Sequence, residues 1–480
     1  MARDWRDDRI EQLERENAAL RKRVADLEAI VDKLQRVVED LQEKVGRNSQ
    51  NSSKPPSSDG PATPARPKKP PTGRKAGAQP GHPAHQRPLV PVDQVSRLQV
   101  VKPTACDCCG GHLQINPDDA VRHQVIHIRP TPPDVWEYQM LAGWCAKCDH
   151  WTRAKLPDGV PTGLFGPSVL ATVAVLMGVL RLSKRATVEA MWGLFRVKMS
   201  PGAVVGCQQL VSEALQPPVA EAHAFVQQEP IKNADETGWR QGRKRAWLWM
   251  AVSGMVAVFL VQTRRTKQAA RELLGKAAGV LGSDRYGAYN FWPRRLHQVC
   301  WSHLIRDFQA IAERTDGSKR IGEGLLEQSR EMFKHWHRVR DGTLSRATFR
   351  RYMQPIQRRV LELLAEGRLL SGKTGRTCSN MLDDFACLWT FVRVEGVEPT
   401  NNDSERTVRH GVLYRRVCHG THSESGSRFV ERMLTVHATL KRQKRDVFDF
   451  VREACEAALA HQPSPSLLPI QIPRVLADAA

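Results

Sequence analysis

The sequence has no apolar run of the roughly 20 residues that a membrane-spanning helix needs. Its longest, Ala246 to Val261, is broken by Ser253-Gly254 and reads as a strand hairpin. An apolar leader is missing too: Met1 is followed by Arg3, Asp4, Arg6, Asp7 and Asp8, so neither a secretory signal nor a membrane partner is expected. Nor is there a disulfide framework. Eleven cysteines, an odd number and mostly scattered along 480 residues, suit a reducing compartment, and a cytoplasmic, nucleoid-associated protein is expected. Negative charge is also scarce. Against 72 lysines and arginines stand 51 acids, a formal net charge of +21, with a pI near 9.8. Such an excess favours a polyanionic partner through counterion release, nucleic acid first and an anionic membrane surface second.

What is present is ordinary globular composition, 41% hydrophobic and 26% charged, in a chain long enough for two or three domains. Residues 1–47 carry a heptad, with Ile10, Asn17, Val24, Val31, Val38 and Val45 at a and Leu13, Leu20, Leu27, Leu34 and Leu41 at d. β-Branched a positions with Leu at d predict a parallel two-stranded coiled coil, its register fixed by the single Asn. The alternative is one long amphipathic helix packed on its own domain. Residues 48–103 are rich in Ser, Pro, Gly, Lys and Arg and predict a flexible basic linker, with Lys68, Lys69, Arg74 and Lys75 as candidate phosphate contacts.

Two knuckles, Cys106-x-x-Cys109 and Cys145-x-x-Cys148, mark residues 104–155 as a zinc-binding module. Four thiolates at that spacing make a closed, structural Zn²⁺ site. Strand-like patches lie between them, at His123 to Ile128 and Val135 to Leu141, and Cys108 is a spare thiol. Residues 160–228 predict a helical domain: Ser168 to Leu180, Arg185 to Phe195, and a third helix opened by Ser200-Pro201 and running through Leu210. The turn Arg196 to Met199 has helix-turn-helix spacing, although a plain scaffold explains it as well.

Within residues 229–303 the element order becomes informative. Pro230 to Glu236 reads as a strand ending at Asp235; a hairpin, a helix over Thr266 to Leu274, a strand from Gly279 to Asp284 and another from Leu296 to Trp301 follow. Three antiparallel strands, a helix and two further strands is the ribonuclease-H-like order, which sets the first and fourth strands side by side and faces Asp235 towards Asp284. Residues 304–396 read as a helical insertion, 397–462 as a catalytic helix with the helical end of the core, and 463–480 as a tail. A third acid, Glu398 or Glu405, arrives around that late helix, which Asn401, Asn402 or Asp403 can cap. Three carboxylates converging among Lys and Arg repel unless cations neutralise them; oxygen ligands suit Mg²⁺ or Mn²⁺, and two such ions support in-line displacement at phosphorus by water or a 3′-hydroxyl. Arg240, Arg243, Lys244, Arg245, Arg285, Arg406, Arg409, Arg415 and Arg416 are candidates to hold phosphates.

Several segments resemble one family. These are Asn51-Ser-Ser-Lys-Pro-Pro-Ser-Ser-Asp59, Gly77-x-x-Pro-Gly-His82, the paired knuckles, Asp235-Glu-Thr237, Asp284-x-Tyr-x-x-Tyr289, Cys300-Trp-x-His303 and Asn401-Asn-x-x-Glu-Arg-x-x-Arg409. Together they look like the transposases of the insertion sequence 66 group, over nearly the whole chain. The resemblance implies a DDE transposase, with Asp235, Asp284 and Glu405 rather than Glu398 as metal ligands, and zipper and zinc segments that bind DNA and pair element ends, with helper proteins as possible partners. Cys300 and His303, with no second ligand pair near them in the sequence, are expected simply to pack at a strand end. The rival reading is a non-catalytic zinc- and zipper-containing DNA-binding protein, a regulator or inactive relic; a third is a nuclease on the same fold that cleaves without joining.

Overall fold

The computed structural model describes residues 5–46, 88–116, 120–128, 132–314 and 317–469. Lys68, Lys69, Arg74 and Lys75, and most of the proposed linker, lie outside the described residues. Helix α1 (Trp5–Gly46) is one unbroken helix of 42 residues. It leaves Leu13, Leu20, Val24, Leu27, Val31, Leu34 and Val38 exposed along the heptad.

Around the first knuckle the chain turns tightly: the Gly110 N–H donates to the Cys106 carbonyl (2.8 Å) and the Cys106 N–H to the Gly111 carbonyl (3.0 Å). Gly110 takes a positive φ of 70°, which favours a residue without Cβ. Strands β1 (Ala142–Cys145) and β2 (His150–Arg153) form a hairpin bearing the second knuckle. The patches at 123–128 and 135–141 do not become strands. They are mostly exposed and have no partner strand among the described residues, so nothing completes a ladder.

Helices α2 (Pro167–Ala174), α3 (Lys184–Phe195), α4 (Pro201–Ala214) and α5 (Gln216–Gln228) follow. The apolar helix expected to continue to Leu180 instead widens into a π turn over Val175–Val179. Within that turn the backbone of Gly178 passes so close to Met433 that a Cβ there would meet it at 2.8 Å.

The central sheet holds β3 (Ile231–Gln241), β4 (Lys244–Val252), β5 (Ala257–Gln262), β6 (Val280–Ser283) and β7 (His297–Val299), with α6 (Lys267–Leu274) between β5 and β6. Their spatial order is β5-β4-β3-β6-β7, antiparallel in the first two pairings and parallel in the last two. β3 does not end at Asp235 as the sequence suggested; it runs on to Gln241, paired with β4 down to Lys244. The parallel ladder with β6 does stop earlier, at Asn233 opposite Gly282. Asp235 therefore sits just beyond the point where β3 and β6 part.

Helices α7 (Trp301–Ala312), α8 (Lys319–Arg340), α9 (Arg346–Arg368), α10 (Gly372–Asp383) and the short α11 (Thr390–Arg393) build a second core around Trp301, Trp336, Phe349, Trp389 and Phe391, which joins the sheet through Val280 and Val299. The first core lies around Trp249, Met250 and Phe259 of the sheet, α2 to α5, and α12 (Asn402–Cys418), α13 (Glu424–Gln443) and α14 (Val447–Leu459). The segment after α14, read as a tail, buries Leu467, whose carbonyl accepts from Gln443 Nε2 (2.8 Å).

β5 is an edge strand, and its outward N–H groups meet α13. Ala257 donates to Thr439 Oγ1 and Phe259 to Thr435 Oγ1, each at 3.1 Å, and Val261 donates to Glu431 Oε1. Alternate strand residues and every fourth helix residue advance by similar distances, about 6.8 Å and 6.0 Å. One helix face thus closes the edge.

Candidate active site

Asp235, Asp284 and Glu405 come from three separate elements. The N–H of Glu236 donates to Asp235 Oδ1 at 2.8 Å and fixes that side chain against its own strand. Asp284 directly follows the last residue of β6; its Oδ1 accepts the Tyr286 N–H (3.0 Å), closing an Asx turn that ends the strand. Glu405 lies in the first turn of α12, its N–H bonded to the Asn401 carbonyl (3.1 Å).

The extra length of β3 positions that helix. Arg415 of α12 donates to Thr237 Oγ1 (3.1 Å) and to the Gly238 carbonyl, and Tyr414 stacks 5.9 Å from Trp239. Gly411 lies where a Cβ would meet Leu248 Cδ2 at 2.1 Å, so a larger residue there would have to displace that buried side chain. At its start, Asp403 is committed to Arg442 of α13 (2.7 Å). Glu405, one turn face away, is left half exposed.

Burial pushes the Asp235 carboxyl up to about 8, and the neighbouring charges of Glu236, Asp284 and Glu405 add to the effect. Glu398 is exposed before α12 and is not among those charges. Glu236 is a buried fourth carboxylate. It accepts from Arg265 Nε (3.0 Å) and from the Tyr289 hydroxyl, while Arg265 lies 3.7 Å from the centre of the Tyr286 ring. Burial and the Asp284 charge nonetheless hold Glu236 above the usual carboxylate range. Sequence reasoning quoted Tyr286 and Tyr289 only as part of a motif and missed that they brace an acid.

A further group was expected merely to pack. Among the described residues, the ligand atoms of Cys300, His303 and Glu405 lie within 4.8 Å of one another, so a single carboxylate rather than a second ligand pair stands beside Cys300 and His303. His303 Nδ1 is 3.8 Å from Glu405 Oε1. Burial, with Arg306 beside it, lowers the imidazole pKa, so this approach is not an ion pair at neutral pH. The knuckle cysteines associate pairwise: N–H groups of Cys109 and Cys108 stabilise the Cys106 thiolate, and those of Cys148 and Lys147 the Cys145 thiolate. The two knuckles are not drawn together into one such ligand group.

The candidate phosphate contacts divide. Arg406 and Arg409 are exposed on α12 next to Glu405. Arg243 and Lys244 are exposed at the β3–β4 turn, about 20 Å along the strand from Asp235. Arg415 belongs to the packing of α12, and Arg285 pairs with Asp307 at 2.8 Å.

The model of the family described as Transposase IS66 family matches residues 162–428, more than half of the chain and all of the sheet and its acids. The chain belongs to the IS66 transposase family. Residues 3–88 of this transposase also match a family of unknown function (DUF6444). No curated protein matches it. Membership makes the IS66 transposase a DNA-binding, DNA-processing enzyme. No helix among its described residues is long and apolar enough to cross a membrane.

Proposed function

We propose that the protein cleaves DNA at the ends of a bacterial insertion sequence and joins them to a target by a DDE mechanism, with Asp235, Asp284 and Glu405 as its acids. The observation that carries this reading is the state of Asp235: burial first, and then the charges of Glu236, Asp284 and Glu405, raise its carboxyl to about 8. Carboxylates that burden one another's charge in this way suit a divalent cation. The strand order supports a ribonuclease-H-like core.

Asp235, Asp284 and Glu405 would hold Mg²⁺ or Mn²⁺. Such ions, when bound, stabilise the attacking and leaving oxygens of an in-line displacement. Glu236, braced by Arg265 and Tyr289, keeps the β3 backbone at Asp235 in place. Arg406 and Arg409 flank Glu405 on an open face and would carry DNA phosphates, with Arg243 and Lys244 extending the track. Each knuckle's inward N–H groups suit a bound thiolate, so Cys106, Cys109, Cys145 and Cys148 would hold a structural Zn²⁺ once the knuckles meet. The open heptad of α1 suits a homodimeric coiled coil that pairs element ends. The DNA substrate places the protein with the nucleoid.

The test is cleavage and joining of DNA carrying the flanking ends, in Mg²⁺ or Mn²⁺. Joined product should vanish with Glu405→Gln, by at least about a hundredfold, and persist with Glu398→Gln. Product retained by both Glu405→Gln and Asp235→Asn, with DNA binding intact, would reject the DDE assignment.

A further inference from the structure

Where β7 ends, three chain segments converge. The Cys300 N–H donates to the Ser283 carbonyl (2.9 Å), the Trp301 N–H to the Pro399 carbonyl (2.9 Å), and the Asn401 N–H to Cys300 Sγ (3.4 Å). These bonds bring β6, the start of α7 and the start of α12 together around one sulfur. Cys300 is almost completely buried. Burial raises the Cys300 thiol and the Glu405 charge adds to this, while backbone N–H groups of Asn401, His303 and Ser302 work the other way. A sulfur surrounded by amide donors is the outer shell that a metal-bound thiolate requires.

His303 supplies the second indication. Its Nδ1 is shielded from solvent and has no hydrogen-bond partner, although a carboxylate oxygen lies 3.8 Å away. That gap is too long for a hydrogen bond. It is a few tenths of an ångström beyond the roughly 3.3–3.5 Å that N and O ligands of one tetrahedral ion keep at ordinary Zn–N and Zn–O lengths, a difference that a small side-chain shift closes. Asn401 is buried, and both side-chain atoms, Nδ2 and Oδ1, lack partners. Its backbone already touches the sulfur.

We propose that Cys300, His303 and Glu405 form a three-ligand site for a transition-metal ion such as Zn²⁺, distinct in ligand chemistry from the all-oxygen site formed by Asp235, Asp284 and Glu405. Mixed sulfur, nitrogen and oxygen donors select a borderline ion over Mg²⁺. Three protein ligands leave a fourth position free, the pattern of reactive rather than structural zinc sites. The buried, unpartnered Asn401 amide belongs to the residue whose backbone N–H meets Cys300 Sγ, and would complete the shell around a water or phosphate oxygen there. Glu405 belongs to both sites, so an ion at Cys300 and His303 fixes the carboxylate on which the oxygen site depends.

The site is tested without DNA, so its outcome is separable from that of the transposition assay. The full-length protein is dialysed against Zn²⁺ and its metal content measured, then titrated with Co²⁺ and followed by absorption spectroscopy. The wild type should retain about one more equivalent per chain than His303→Gln or Cys300→Ser, and its thiolate-to-cobalt charge-transfer band should fall in Cys300→Ser. Both variants keep the four knuckle cysteines, so the difference isolates this site. His303 is partly exposed, and circular dichroism of His303→Gln confirms that a loss is not unfolding. Equal metal content and equal cobalt spectra in the wild type and a folded His303→Gln would overturn the proposal, even if DNA joining were observed.

Discussion

At Asp235 burial and charge act together on one side chain. An ordinary aspartic acid titrates near 3.8, and this one is pushed up to about 8. Between those values the folded, metal-free chain holds a proton that the unfolded chain has released. Its stability is therefore fully present below pH ~4 and is lost as pH rises through ~8. Asp235→Asn removes that slope. Scanning calorimetry in a chelator should show the variant to be the more stable at pH 8, by an amount on the order of a few kcal/mol, with the gap closing towards pH 4. Saturating Mg²⁺ should raise the Tm of the wild type and leave that of the variant in place. A chelated wild type whose stability rises between pH 5 and 8 relative to the variant would contradict the raised pKa.

At the scale of elements, the sheet edge depends on α13. Thr435 and Thr439 each accept a buried β5 N–H that has no other partner on that side. Thr435→Val or Thr439→Val keeps the shape and removes the acceptor, so each should cost about 1–3 kcal/mol in urea unfolding, and Thr435→Ser much less. Equal stability of the Val and Ser variants would show that the edge is satisfied otherwise. The hairpin, α6 and the neighbouring β3 and β6 were legible in the sequence because apolar runs there are bounded by Gly, Ser and Thr. The full extent of β3 was not. Beyond Asp235 its pattern breaks at Glu236 and Gly238, and what holds it extended is its ladder with β4 together with the distant Arg415 and Thr421, whose N–H donates to the Arg240 carbonyl (2.9 Å). The association of Cys300 and His303 with Glu405 was hidden for the same reason: Cys300 and Asn401 touch across 101 residues, a separation that no local spacing reports.

For the whole molecule, the exposed heptad of α1 and the net charge of +21 are features that one folded chain does not use. If α1 zips with a second copy, Leu20→Glu with Leu27→Glu places charge in the seam, and light scattering should report half the mass while the sheet domain stays folded. An unchanged mass would place self-association elsewhere. The closed edge of β5 has a further consequence for how the chain is made. The strand leaves the ribosome some 170 to 182 residues before its covering side chains, Glu431, Thr435 and Thr439. At ordinary elongation rates that gap lasts about 10–35 s. During it the nascent sheet exposes a bare, adhesive border to any neighbouring extended chain. A message truncated before α13 would yield a product that assembles with its own kind instead of remaining a soluble fragment, so the last helices serve as a guard on synthesis as well as a wall of the fold.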